Sequence, residues 1–571
     1  MALELAPPYV HPKAAAEPNC WSRKLCKQIR QFIVGRESAL NLAVLRIVVL
    51  GTLLAQLDVK TILWIASLPP DLHVAPPGAA YLMRAMPVTE TTALVSVSVC
   101  AAACVLGMIG LFSRTSTAVA ALSGVYALMI VHLIPNTCHQ QHLIWFAAIL
   151  ACSRCGDAFS IDSLLDAWRK ARAGVCTRLS RSRIYAMPMR IIWVLFGMIY
   201  FFPGFWKLTA GYSEWIVGHG LIKAIHYKWA ILDGWISPFR IDAAPAFCKM
   251  AQFATVAFEL LFIAAIFFPL SRMIAAAAGL VFHNAAYAVM RIPFFQLQTC
   301  YVAFVDWQVV ALWIGKTWFK RRSIVSFVNA CEGCRESVAT LRSFDLLRTN
   351  IFTCATISDT KHSFDLHAAL SGEESSNPIL LGSGLMSRPL WQILKRQHGS
   401  ARSNMYTPLG PIHAAVSHNP APVLSVGLML ILLNAQCGIE GKESGWPFAC
   451  YPRYIIPQER IERLGLSLVN KDGKEHEIDL TEEWPFLSRY INRMWTCVWP
   501  GRNALPPYRI SMLSATWSML VREHPDWKRA NAVRFYEESY STQPEMLRHR
   551  SDAKKLIYEM RLAPVAQIAS D

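Results

Sequence analysis

A chain of 571 residues that is 54% hydrophobic and only 17% charged is too apolar for an ordinary soluble enzyme, and its composition directs the reading to the bilayer. The net charge of +17 would suit a nucleic-acid binder, but the positive residues gather in every second loop between apolar runs, as in the cytoplasmic loops of membrane proteins. Nucleic acid is therefore excluded as a partner, and membrane lipid is expected.

In chain order, residues 1–38 read as a cytoplasmic basic amphipathic segment with no cleavable signal, carrying Arg23, Lys24, Lys27, Arg30 and Arg36. Crossing a hydrocarbon core takes about 20 apolar helical residues. Nine stretches meet or approach that length: 39–57, 91–112, 115–134, 142–156, 189–209, 250–269, 272–290, 295–315 and 421–438. The first eight form one dense domain, 39–315. Residues 316–420 turn polar, with pieces such as Ser371-Gly-Glu-Glu-Ser-Ser-Asn377, and read as a cytoplasmic insertion of partial helix and much loop.

The ninth span, 421–438, leads to an extracytoplasmic domain, 439–571, opening with the aromatic segment Gly445-Trp-Pro-Phe-Ala-Cys-Tyr-Pro452. Leu466–Val469 and Glu475–Leu480 flank the turn Asn470-Lys-Asp-Gly473 as a β-hairpin, and helices are expected near 508–523 and 528–560. The fold class is an all-α polytopic membrane bundle of about eight spans plus a ninth, with a small mixed α/β extramembrane C-terminal domain. Nine spans put the N-terminus inside and the C-terminus outside.

The sixteen cysteines are scattered, and no metal site is predicted. Cys331/Cys334 and Cys152/Cys155 have redox spacing but fall on the cytoplasmic side without a thioredoxin-like context, which disfavours a redox role. Cys437 and Cys450, both outside, are placed for a structural disulfide.

A charge inside a span needs a partner, a water route or a function. Arg46, in the first span, reads as a buried structural ion pair or a side chain snorkelling inward. Glu259, mid-way along the sixth span, needs a cation, and Arg46 is one candidate. Lys207 ends the fifth span in Phe201-Phe-Pro-Gly-Phe-Trp-Lys-Leu208; it is either an interfacial lysine beside an aromatic belt or a desolvated amine able to take a proton. His139 opens the fourth span, and His283 lies in the outward half of the seventh. The alternation of spans brings Lys207, His139 and His283 to one outward-facing region.

These residues also carry a family resemblance. Asn41-Leu-Ala-Val-Leu-Arg46 with Leu57-Asp-Val59, Val105-Leu-Gly-Met-Ile-Gly-Leu-Phe-Ser-Arg114, and His139 at its distance from Phe159-Ser-Ile-Asp-Ser-Leu164 resemble segments of the vitamin K-dependent γ-carboxylases and their bacterial relatives, the horizontally transferred transmembrane (HTTM) family. Pro203-Gly-Phe-Trp-Lys-Leu208, Trp215-Ile-Val-Gly218 and Arg272 through Phe282-His283 continue the resemblance across 39–315. Cys138 and Trp206 depart from the family pattern, as do two extra residues between Lys207 and Trp215.

The resemblance implies a lysine, here Lys207, that deprotonates vitamin K hydroquinone or another reduced quinone, with oxygen and carbon dioxide as co-substrates. It makes His139 a group that positions the reacting substrate, His283 a supporting residue, and Phe205 and Trp206 the candidate quinone-binding side chains. Lipid quinol and a secreted peptide or protein carrying glutamyl residues are the partners it implies. The competing reading is a non-catalytic protein on the same scaffold, serving maturation, export or immunity of a secreted peptide.

Overall fold

The computed structural model describes residues 28–75, 78–133, 140–172, 181–232, 235–318, 323–327, 332–345, 350–354, 364–365, 419–441, 445–448, 459–480, 507–546, 551 and 553–562. Helix dominates. Helices long and apolar enough to cross a membrane are α3 (Glu90–Ile109), α4 (Ser113–Val131), α7 (Arg183–Leu208), α9 (Pro245–Ala265), α10 (Pro269–Met290) and α14 (Ala421–Ile439), six among the described residues.

The remaining three apolar runs take other forms. The first, 39–57, is α1 (Ala39–Ala55), after which the chain bends by 50° into a further apolar helix, α2 (Val59–Ala66). The bend falls at Asp58, whose carboxylate caps α2 by accepting from the Thr61 backbone N–H at 3.2 Å. The run expected at 142–156 is a short helix, α5 (Gln141–Cys152), followed by the amphipathic α6 (Ile161–Arg172). The run expected at 295–315 is α11 (Phe295–Thr299) continued by a 3₁₀ turn to Phe304, then bent by 76° into α12 (Trp307–Trp318).

Arg46 explains one end of the bundle. It is fully buried and donates to the carbonyls of Cys155 at 2.6 Å and Phe159 at 2.5 Å. The neighbouring turn needs Gly110, at φ +72°, where a Cβ would also strike Ser160. Asp162, in the first turn of α6, then accepts from the backbone N–H groups of Phe112 and Ser113, capping α4. Arg46 is buried as expected, but neither in an ion pair nor by snorkelling inward, since it is held by backbone carbonyls. The candidate pairing with Glu259 is therefore not formed.

α7 is the central helix of the site. Gly197 and Gly204, seven residues apart and so on one face, let α9 approach until a Cβ at Gly204 would sit 2.8 Å from the Glu259 Cβ. α14 packs on the opposite side of α7, where the Trp206 indole donates to the Gly438 carbonyl at 2.7 Å.

The insertion contains more order than its composition indicates: β1 (Ser323–Phe327), α13 (Glu332–Phe344), β2 (Asn350–Cys354) and β3 (Phe364–Asp365), with three parallel strands in the order β2-β1-β3. In the C-terminal domain the hairpin forms as expected, β4 (Arg460–Val469) against β5 (Glu475–Ile478), turning at Gly473 with Leu466 opposite Ile478. α15 (Pro507–Glu523) matches the helix expected near 508–523.

The helix expected over 528–560 is absent. β6 (Ala532–Ser541) and β7 (Ala553–Arg561) stand there, completing a four-stranded antiparallel sheet in the order β5-β4-β6-β7. The cause is pairing: β6 is matched to β4 over ten residues and buries Val533 and Phe535 on one face, which overrides the helix preference of its Arg and Glu residues.

Candidate functional site

Where α7, α9 and α10 meet, a cavity of about 120 Å³ is walled mainly by apolar side chains such as Ile199, Phe282 and Phe294. Its polar lining is sparse and comes from four helices: Lys207 and Tyr200 from α7, Thr255 and Glu259 from α9, His283 from α10 and His142 from α5.

Lys207 lies in the last turn of α7 with its ammonium 2.5 Å from Glu259 Oε1, and both side chains are 6% exposed. The Trp215 ring lies 4.7 Å from the same ammonium, a cation–π contact on a second side. Glu259 Oε2 is buried without a hydrogen-bond partner. The pair therefore keeps one open acceptor position beside a cation.

Trp215 is fixed by its own segment. Ser213–Val217 forms a single π-helical turn, a geometry frequent at functional sites. α9 holds it: Lys249 Nζ donates to the carbonyls of Ile216 at 2.9 Å, Val217 at 3.0 Å and Gly218 at 2.5 Å, while Gln252 donates to the carbonyls of Trp215 and Gly218 and accepts from the Leu221 N–H. α8 (Gly220–Ile231) adds Leu221 and Ala224 to the cavity wall. It is tied to the C-terminal sheet by the Lys223–Glu459 ion pair at 2.8 Å and by Arg463 donating to the Ala230 carbonyl at 2.9 Å. Hydrogen bonds to Glu459 and then Glu214 raise the Lys223 pKa above its usual value.

At the other end of the cavity, His283 Nε2 is 2.6 Å from the Tyr200 hydroxyl, which also meets the Tyr301 hydroxyl. His142 Nε2 bonds the Gln296 carbonyl at 3.0 Å. Among the described residues no three His, Cys, Asp or Glu side chains are grouped to hold a metal ion.

Lys207 and His283, both anticipated from sequence, line this one cavity. His139 lies outside the described residues, as does Cys138. Phe205 and Trp206, anticipated as quinone contacts, do not line it: Phe205 is 37% exposed, and Trp206 turns to α14. Glu259, anticipated only as a carboxylate in need of a cation, is the partner of Lys207. Tyr200, Tyr301 and His142 were missed. The available signals were Tyr200 standing seven residues before Lys207, on the same helical face, and His142 standing three after His139.

Cys152 and Cys155 are separate thiols, while Cys331 and Cys450 lie outside the described residues. Comparison of the chain with known protein families, curated proteins and solved structures gives no match.

Proposed function

We propose that this chain is a multi-pass membrane enzyme of the vitamin K-dependent γ-carboxylase (HTTM) type, with its N-terminus in the cytoplasm and its C-terminal domain outside. It takes a reduced quinone from the bilayer and acts on glutamyl residues of a secreted peptide or protein. The observation that carries this reading is the Lys207–Glu259 pair, buried in an apolar cavity with Glu259 Oε2 unpartnered.

The lining fits a hydroxyaryl ring. Its walls are apolar, and its polar atoms are few and separated, which is what a flat lipid-soluble ligand requires. Bound there, a reduced quinone supplies with oxygen the strong base that removes the γ-proton of a glutamyl residue, whose carbon then bonds carbon dioxide. The chain's own part is narrower. Glu259 Oε2 accepts the hydroxyl proton of the ligand, and the Lys207 ammonium stabilises the oxyanion left behind. The Trp215 ring and the pinned π turn hold water away from the pair. In this reading Glu259 is the proton acceptor, and Lys207 is its cationic partner rather than a lone base.

A second reading, a non-catalytic scaffold serving a secreted peptide, draws on the same ion pair, because pairing is also how a bundle buries a charge it does not use. Purified protein given vitamin K hydroquinone, oxygen, labelled bicarbonate and a glutamyl peptide separates the two. Label should enter the peptide with wild type and not with Lys207→Ala. Quinol oxidation without label would make the protein a quinol oxygenase, and neither reaction would favour the scaffold.

A further inference from the structure

Two polar couples hang from one face of α7. Lys207 with Glu259 is one; seven residues earlier, about 10 Å along the axis, Tyr200 with His283 is the other. Tyr301 joins the second couple through its hydroxyl, brought close by Gly279, where a Cβ would fall 2.1 Å from Tyr301 Oη. Tyr200, Tyr301 and His283 are all buried. Yet His283 Nδ1, on a ring that lines the cavity, has no hydrogen-bond partner.

Either direction of this chain leaves one hydrogen without a partner. Were His283 to donate from Nε2, Tyr200 would donate to Tyr301, and the Tyr301 hydroxyl hydrogen would find no acceptor among the described residues. In the reverse order Tyr301 donates to Tyr200 and Tyr200 donates to His283 Nε2. Every hydroxyl hydrogen is then used, and the ring proton sits on Nδ1. The hydrogen left over is then that of His283, whose ring lines the cavity, whereas Tyr301 is not among the lining residues, so this is the order in which a bound acceptor removes the cost.

We infer that His283 is a second ligand-recognition group, a hydrogen-bond donor that reads an acceptor oxygen on the ring end away from Lys207, so that the cavity selects aromatic ligands oxygenated at both ends. Tyr200 is its positioning residue. The inference rests on reading the cavity as a hydroxyaryl site, with Lys207 and Glu259 at the opposite pole.

The test is calorimetric titration of the full chain in lipid nanodiscs with two probes, 1-naphthol and 4-methoxy-1-naphthol, empty nanodiscs correcting for partition. Both carry the hydroxyl that Glu259 would accept, and only the second carries the distal acceptor. Wild type should bind the methoxy compound about tenfold more tightly, the worth of one buried hydrogen bond. His283→Phe should abolish that ratio. Tyr200→Phe, which removes a single oxygen, should reduce the ratio by freeing the tautomer, an effect that a merely structural role for Tyr200 would not produce.

A wild-type ratio near one, or a ratio unchanged in both variants, would overturn the inference alone, provided 1-naphthol binding still weakens in Glu259→Gln. Failure of either naphthol to bind, or binding indifferent to Glu259→Gln, would overturn the hydroxyaryl reading and this inference together.

Discussion

A lysine and a carboxylate 2.5 Å apart in an apolar cavity each relieve the desolvation that the other would suffer alone, so removing one exposes the other. Lys207→Met should therefore lower stability by about 3 kcal/mol, read as denaturant unfolding in detergent. The double variant Lys207→Met/Glu259→Met should recover most of that loss while remaining inactive. A double variant that is stable and active would show that the pair serves folding only. At this scale the sequence was legible in part. Lys207 stood out because it closes an aromatic run, and Glu259 because a carboxylate in a span demands a cation. Their pairing was not legible, since a sequence gives depth along a helix but not which neighbour the face meets; Arg46 was the candidate, and it turned out to serve carbonyls. Tyr200 and Tyr301 were invisible for a different reason: an aromatic residue in an apolar helix reads as ordinary packing until its hydroxyl is found on His283.

Between elements, the distance from α7 to α9 decides whether the site exists. Gly204 sets it, with Glu259 Cβ and the Leu260 backbone both about where a new side chain would go. Gly204→Val should push the helices apart, separating Lys207 from Glu259. The expected result is at least a tenfold loss of 1-naphthol affinity, measured by the same titration, together with a lower unfolding midpoint. Unchanged affinity would mean that α9 adapts and that the close approach is incidental. The helices themselves were readable, because the nine apolar runs fall largely on helix, and what failed was the continuity of one: the bend before Trp307 breaks 295–315, whereas 39–57 is a single helix that ends before the Asp58 cap. The C-terminal strands were misread because Arg- and Glu-rich segments favour helix locally, whereas β6 gains its order from ten partners on β4, a non-local fact.

At the scale of the molecule, six long apolar helices and two bent pairs among the described residues give the bundle in which a charged pair can be kept dry. The C-terminal sheet reaches α8, one wall of the cavity, through Glu459 and Arg463. The exposed Lys223–Glu459 contact is worth less than about 1 kcal/mol after screening, so the sheet is fastened there by several weak contacts rather than one strong one. Composition and alternating charge were enough to read the bundle. They could not reveal the wall that the tail supports, which depends on where a soluble sheet settles. We propose that this bundle brings a proton-accepting pair to a lipid-borne hydroxyaryl ligand. Oxygen consumption with vitamin K hydroquinone, compared between wild type and Glu259→Gln in nanodiscs, tests that claim most directly. The account predicts turnover in wild type and a loss of at least about 100-fold in kcat for the variant, with hydroquinone affinity changed far less. Equal turnover in the two proteins would contradict it.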